Sequence, residues 1–577
     1  MSLAEWVTAK MPRLAAIGLG LTVAMPLIAV ASAVVSPGWP DTLACGDDGN
    51  IELFTWNVLH DVQLSSIRTH GNLAEHLGPA YFYLLAPLYG LFGCKYAGLR
   101  LGAIAINVLA IVGVLGTARR LGGLAAMLWL GLLLTGFVRF VSVSWLVDTW
   151  IPWVVILPFL AVVLLFAGVA LGRPWFLPAA LGVGSFIVQT QIGYTPVVAA
   201  LTLVSCVAGW LALRHEGPLA TTLWKPVAVA VLILVPLWTP TAVKQICGMP
   251  GRVSETLAYF AQQGVGHSWH QAARVLEVSL AAFPASLLGV DAKPALLAVE
   301  QAAGPGENVW LFRLLAVGQL VLLPTAFWLA RRRGRPLDAM LCLFSPLLLA
   351  VCAVSVRRIA DGIVFHQVFW MSTLGLLNGY LIGSAIFCEL GRRLRVADRP
   401  RVHRAVVTAA ILTIAMAGLA NTVQAVRQLP IVRGERPDPL MHDDSDEALF
   451  GGNETDARRF LASAQQWLEA NDVRQYRLRI VGLHRCGVAT GMILGLTKAG
   501  RRPVLDPWHA RVFTPRYPEP AEPIENLLLL CSRSCAQRAR AADGDLRVLA
   551  ESPYAILFGT PHASRLAPWL TTEPRFR

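Results

Sequence analysis

Eleven apolar stretches recur along the chain, at about 14–35, 98–116, 122–140, 151–171, 176–190, 195–213, 226–243, 309–330, 338–356, 363–388 and 405–426. Most reach the roughly 17–25 residues that a helix needs to cross about 30 Å of hydrocarbon. No water reaches that layer to bond a bare amide, so a span must close its own backbone hydrogen bonds, and a helix does so within one segment. Composition agrees: of 577 residues 55% are hydrophobic and 15% charged, against about 25% charged in soluble domains, and mean hydropathy is +0.55. The expected fold class is a polytopic α-helical membrane protein of about eleven transmembrane helices with a small C-terminal extracytoplasmic α/β domain.

A formal charge of +13 raises the question of nucleic acid, and its distribution answers it. Arg119-Arg120, the group Arg331, Arg332, Arg333 and Arg335, and the group Arg392, Arg393, Arg395, Arg399, Arg401 and Arg404 all fall between spans. Cytoplasmic loops of membrane proteins carry this bias. No basic patch interleaves with exposed aromatics in the manner of a nucleic-acid surface, so no nucleic-acid partner is expected. A cytoplasmic N-terminus puts every cluster inside and leaves 36–77, 244–308 and the tail after 427 outside. Leu14–Val35 follows Lys10 and Arg13 but outruns a signal-peptide core of about 7–15 residues, so it reads as an uncleaved anchor despite a weak Ala-Ser-Ala at 31–33. The stretch 79–93 is short, bounded by Gly78 and Gly93 and interrupted by Pro87. Counted as a span it would push Arg119-Arg120 outside, so it reads as a re-entrant or interfacial helix, a short tilted span being the alternative. Its aromatic run Tyr81, Phe82 and Tyr83 would sit at the bilayer surface, where aromatic side chains gather.

Residues 1–426 form the expected transmembrane domain, with 36–97 as a first external loop and 244–308 as a second. Residues 427–455 are polar and Pro-rich, a linker. Beyond it, patterning predicts helices over 454–470 and 488–499 and strands over 477–483, 526–532 and 554–559. These make an α/β domain of about 120 residues at 456–577, enough for its own core. Cys206, Cys342, Cys352 and Cys388 lie in spans and read as small buried hydrophobes. Cys531 and Cys535 suit a disulfide in an oxidising compartment; zinc would need two more ligands than the neighbourhood supplies.

The candidate chemistry gathers in the first external loop, where Asp47, Asp48, Glu52, Arg68 and His76 fall within about thirty residues of a chain otherwise poor in charge. Acids in a loop are ordinarily solvated, and Asp-Asp-Gly makes a good turn. Beside a membrane, a carboxylate is also placed to take a proton from an acceptor hydroxyl. Arg357 and Arg358 end a span on its outer side; they either pair with Asp361 or clamp phosphate oxygens, whose geometry a guanidinium fork matches. Arg68 has the same choice. His76 either bonds phosphate or caps the following helix. Gln189, Gln191 and Tyr194 form a polar elbow, Trp238-Thr-Pro240 leads to Gly248-Met-Pro250-Gly251, and Asp148 stands between Trp145 and Trp150, tryptophans that fit an interfacial belt.

Together these residues carry a resemblance. His76-Leu-Gly78-Pro79-Ala-Tyr-Phe-Tyr-Leu-Leu-Ala-Pro87 resembles an element of bacterial GT-C membrane glycosyltransferases, in the branch of the protein mannosyltransferases and aminoarabinose transferases. Gly46-Asp47 with Glu52-Leu53, Ser66-Ile67-Arg68, the Gln189–Pro196 elbow, the Trp238–Gly251 run and Arg357-Arg358-Ile359 follow in that family's order over roughly 40–390, with a weaker echo at Ala489–Gly500. Leu77, Gln191 and His366 depart from the family's usual Pro, His and Tyr.

The resemblance implies inverting transfer from a polyprenyl-phosphate sugar to a glycan, lipid or protein acceptor on the outer face of a bacterial inner membrane. Asp47 would be the base, with Asp48 next and Glu52 in support. Arg68, His76, Arg357 and Arg358 would bind the donor phosphate, while Gln189, Gln191, Tyr194, Asp148 and His366 would line the site. Arginines would take the place of a metal, so neither metal nor cofactor is expected. A transporter or flippase of a lipid-linked glycan is the competing reading. Such proteins place ionisable groups near the midplane, whereas these spans hold almost none.

Overall fold

The computed structural model describes residues 14–61, 63–67, 75–214, 219–247, 251–262, 266–297, 309–359, 362–395, 398–436, 454–481, 487–501, 503–505, 524–542, 546–553 and 555–561. Its chain packs into two compact units. One comprises Met1–Pro37, His76–Tyr81 and Arg100–Glu435; the other comprises Gly38–Glu75, Phe82–Leu99 and Arg436–Arg577.

The first unit is helical and spans a membrane many times. Among the described residues, 8 helices are long and apolar enough to cross, or 9 if Leu14–Val23 and Met25–Val34, meeting at 66°, are one bent span. The expected eleven is therefore not the count that helix length supports. Two expected spans, 98–116 and 122–140, fall in one helical run, Tyr96–Val141, broken at Gly123 with φ 83° and ψ −169°. Only glycine adopts that geometry without strain. Another, 176–190, forms the 14-residue helix Leu177–Thr190, about 21 Å long at 1.5 Å per residue and short of the hydrocarbon thickness.

The helices approach one another through backbone. Pro284, inside the Trp269–Leu287 helix, lacks the N–H that would bond the carbonyl of Leu280 four residues earlier. A neighbouring helix supplies the missing donor: Gln319 Nε2 reaches Leu280 O at 2.9 Å. Gly375 of the Ser372–Arg393 helix approaches the same carbonyl, and a Cβ there would lie 2.4 Å from Leu280 O. Small residues permit this approach where no hydrophobic effect drives helices together. Of the four cysteines expected to be buried in spans, Cys342 and Cys352 are; Cys388 is half-buried and Cys206 exposed.

The expected interfacial helix is Ala80–Leu91, 12 residues and about 18 Å long. Its aromatic run does not face a bilayer surface as a whole. Tyr81 and Phe82 are each 1% exposed, and only Tyr83, at 38%, faces outward. Tyr81 is held by a hydrogen bond from its hydroxyl to Thr149 O, 2.7 Å, and Phe82 by an edge-on contact with Phe54, ring centroids 5.3 Å apart. Trp145 is likewise buried rather than interfacial, stacked on Trp153 at 4.4 Å.

In the second unit a five-stranded sheet is ordered β2-β1-β3-β5-β4, with β1 Arg477–Val481, β2 Val504–Leu505, β3 Leu527–Ser532, β4 Arg547–Glu551 and β5 Ala555–Thr560. Strands β2, β1 and β3 run parallel, and β5 is antiparallel to both β3 and β4. The unbroken apolar run of β3, Leu-Leu-Leu-Leu-Cys, is what a strand covered on both faces requires. The Arg533–Ala542 helix covers one face, with Cys535, Ala536 and Ala539 against Leu527, Leu529 and Phe558. Glu454–Ala470 packs against the Gly487–Lys498 helix and against β4 and β5. Cys531 and Cys535 are free thiols whose sulfurs lie 3.5 Å apart, not a disulfide.

Gly375→Ala is expected to lower stability in detergent by about 1–3 kcal/mol through overpacking at the Leu280 carbonyl. Gly379→Ala, on the same helix with nothing within 4 Å of its would-be Cβ, should leave the thermal midpoint in place. Equal midpoints for the two variants would refute the close-approach account.

Candidate active site

The acids of the loop expected to be external lie on one helix, Gly46–His60, in the second unit. Asp47 and Asp48 occupy its first turn, where the N-terminal partial charge of a helix favours carboxylates. Asp47 is exposed and Asp48 half-buried. Two glycines seat the helix against Gly487–Lys498. A Cβ at Gly49 would lie 2.6 Å from Thr490 Cγ2, and one at Gly491 would lie 2.8 Å from Cys45 Sγ. The acid-bearing turn thus rests on a helix of the C-terminal fold.

Glu52 is a different kind of acid. It is 0% exposed, and its Oε1 lies 2.5 Å from Lys498 Nζ and accepts from Tyr89 Oη at 3.0 Å. Lys498 also donates to Cys94 O at 3.0 Å, and its ammonium lies 5.7 Å from the Tyr89 ring centroid and 6.0 Å from that of Trp56. The other oxygen, Oε2, is buried without a hydrogen-bond partner. Burial pushes the Glu52 carboxyl above its ordinary range, against the pull of Lys498 and the hydrogen bond from Tyr89. A carboxylate so enclosed holds structure; it does not meet an acceptor from solution.

The other expected residues belong to the first unit, except Arg68, which lies outside the described residues, as does Asp361, the proposed partner of Arg357 and Arg358. His76 is 7% exposed, and its Nδ1 accepts from Ile192 N at 3.2 Å. The ring proton therefore sits on Nε2, the nitrogen able to donate onward. Gly78 is required two residues later, because a Cβ there would lie 2.1 Å from Gln189 Oε1. Thr241 Oγ1 donates to Leu77 O at 2.9 Å, and Gln189 Nε2 to Leu237 O at 3.0 Å. The bond to Leu77 O and that from Gly78 N to Gln189 O, 3.4 Å, clasp the His76–Gly78 turn to two helices, which the Gln189 side chain ties to each other.

Gln189 and Tyr194, expected to line the site, are enclosed by their neighbours. Both are 0% exposed, and Tyr194 packs between Trp370 and Phe159, with centroids 4.3 and 5.2 Å away. A side chain without exposed surface faces no open site. Gln191, at the helix end beside them, is half-buried.

Asp148 and His366 do come together around Trp150. Asp148 Oδ1 accepts from Trp150 N at 2.7 Å, and the Trp150 and His366 rings lie 4.8 Å apart. All three are half-buried. The turn between them is fixed by Tyr81 through Thr149 O. Nearby, Lys293 Nζ stands 4.6 Å above the Trp145 ring. Arg357 is half-buried and preset: its guanidinium carbon lies 4.1 Å over the Trp269 ring and its Nε donates to His267 O at 3.3 Å. Arg358 follows at the exposed helix end.

Sequence reasoning missed Lys498, Tyr81, Lys293 and Trp269. Lys498 had a readable signal, being the one cation in the otherwise apolar or neutral helix Gly487–Lys498. Among the described residues no group of three or more His, Cys, Asp or Glu is placed to hold a metal ion.

The fold is similar to that of ArnT from Cupriavidus metallidurans, solved bound to undecaprenyl phosphate, over 94% of this chain and 98% of that one, at 15% identity and TM-score 0.51. The same enzyme in the apo state gives 15% identity and TM-score 0.50 over the same shares. At that identity the likeness is one of fold alone. No protein-family model matches the chain, and no curated protein matches it by sequence.

Lys498→Met should cost about 2–3 kcal/mol by stranding the buried Glu52 carboxylate, and the double variant Glu52→Leu/Lys498→Met should recover most of that loss in a denaturation cycle. The pH dependence has a definite sign. Because Glu52 titrates above 4.5, the folded state holds its proton more tightly than the unfolded chain. Its stabilising contribution is full below that ordinary value and is lost as pH rises through the raised one. Unfolding midpoints from about pH 4 to 8 should therefore fall for the wild type relative to Glu52→Gln.

Proposed function

We infer that the protein is a membrane glycosyltransferase that moves a sugar from a polyprenyl-phosphate donor to an acceptor, with inversion, on the outer face of a bacterial inner membrane. The observation that carries this reading is the likeness, along 94% of the chain, to an ArnT solved with undecaprenyl phosphate bound. The expected site residues support it with chemistry suited to such a donor.

In this reading Asp47, exposed in the first turn of its helix, takes the proton from the acceptor hydroxyl, with Asp48 the second candidate. The acceptor oxygen attacks the anomeric carbon, the bond from that carbon to the phosphate oxygen breaks, and its electron pair leaves with the polyprenyl phosphate. One displacement inverts the anomeric centre. Arg357, Arg358 and Arg68 meet the negative charge that grows on the leaving phosphate. Arg357 is held over Trp269 before substrate arrives, so little reorganisation is needed. His76 adds a donor through Nε2. Gln191, Asp148 and His366 stand on the sugar side, and Trp150 offers a ring face to it. Glu52 supports the reaction through Lys498, by fixing the helix that carries the acids.

Removing a general base typically costs about 10²–10⁴ in rate. Asp47→Asn and Asp48→Asn should be compared singly in detergent, with polyprenyl-phosphate sugars and candidate acceptors, reading transferred sugar. One variant should lose activity on that scale while keeping its expression and thermal midpoint. Full activity in both would remove the base assignment. Transfer by the wild type without sealed vesicles would exclude pure transport.

A further inference from the structure

At the arginine-rich ends of two membrane-spanning helices, Val309–Arg332 and Ser372–Arg393, a groove of about 330 Å³ opens on the first unit. Its walls are apolar: Leu322, Ala326 and Leu329 from one helix, Ile382, Ala385 and Ile386 from the other, with Thr325 at the lip. Alanines at 326 and 385 make the recess, since larger side chains would fill it. The groove's polar end is formed by Glu389 and Arg393.

That end carries more positive charge than the protein itself balances. Seven arginines (331, 332, 333, 335, 392, 393 and 395) stand with three acids, Asp338, Glu389 and Asp398. Asp338 is committed to Arg335, at 2.5 Å. Glu389 is met by three guanidinium groups at once, from Arg333 at 2.8 Å, Arg392 at 2.6 Å and Arg393 at 3.2 Å. One carboxylate cannot neutralise three cations. Arg392 and Arg393 keep 55% and 73% of their side-chain surface exposed, so they face outward while bonded.

An apolar channel between spans that ends in excess arginine has the shape and charge of an amphiphile with an anionic head. We propose that this groove binds an anionic phospholipid, one acyl chain lying between the two helices and the phosphodiester on Arg392 and Arg393. Basic pockets between spans select anionic head groups in this way, and its volume falls within the range of about 300–1,000 Å³ found for small-molecule sites. The site belongs to the membrane end opposite Arg357 on the Pro336–Arg357 helix, so it is separate from the proposed donor site and does not depend on that reading.

The test uses the full chain, delipidated in detergent, with phosphatidylglycerol and phosphatidylcholine of identical acyl chains, read by native mass spectrometry and by thermal midpoint. Phosphatidylglycerol should bind more tightly, by about fivefold for each arginine engaged. Arg392→Gln/Arg393→Gln should bring the two lipids to parity. Thr325→Trp, at an exposed position that tolerates bulk, should block the groove and abolish the preference without lowering the lipid-free midpoint. Equal binding of both lipids by the wild type would overturn the site and leave the arginines as topology determinants alone. A preference that survives Thr325→Trp would overturn it as well.

Discussion

In hydrocarbon an amide or carbonyl without a partner costs several kcal/mol, and the membrane unit is arranged around that cost. Where Pro284 removes a helical donor, Gln319 replaces it from the next helix, and the glycine at 375 lets a third helix close over the same carbonyl. In the same fashion Thr241 gives a side-chain donor to Leu77 O in the His76–Gly78 turn, and Gln189 gives one to Leu237 O on a neighbouring helix. These polar side chains within the helices are engaged in structure. The groups suited to chemistry, Arg357, Arg358, Asp148 and His366, stand at helix ends.

The same carboxylate chemistry serves two ends in the second unit, and exposure separates them. Asp47 and Asp48 sit in the first turn of a helix, the first exposed and the second half-buried. Glu52, one turn on, is sealed in with Lys498 and Tyr89. A buried pair of this kind adds little net stability, because desolvation offsets the attraction. What it fixes is register: it holds one face of the acid-bearing helix against one turn of the Gly487–Lys498 helix.

Much of this was legible in the sequence. Long apolar runs dictate helices because a helix satisfies its own backbone in lipid. The soluble elements could be read as well. The helix expected over 454–470 is Glu454–Ala470, and the strand expected over 526–532 is Leu527–Ser532. The β4 strand escaped notice because an edge strand, mostly exposed, carries no apolar run. The expected count of eleven spans is not confirmed: hydropathy does not see that Leu177–Thr190 stops at 14 residues, nor that 98–116 and 122–140 share one helical run broken at Gly123. Side-chain direction was the other blind spot. Tyr81 and Tyr83 are both aromatic and two positions apart, yet one is buried and bonded to Thr149 O while the other faces outward. Neither composition nor hydropathy distinguishes them.

Glu52 and Lys498 are 446 residues apart in the chain. At ribosomal speeds of about 5–20 residues per second, roughly 20–90 s separate the synthesis of the acid from that of its partner. Through that interval every later span enters the membrane, and the first loop waits with a carboxylate that has nothing to close on. The helix bearing Asp47 and Asp48 thus gains this support only after every membrane helix has been made. A nascent or truncated chain would hold its acids on an unfinished support, so maturation of the site is tied to completion of the whole molecule.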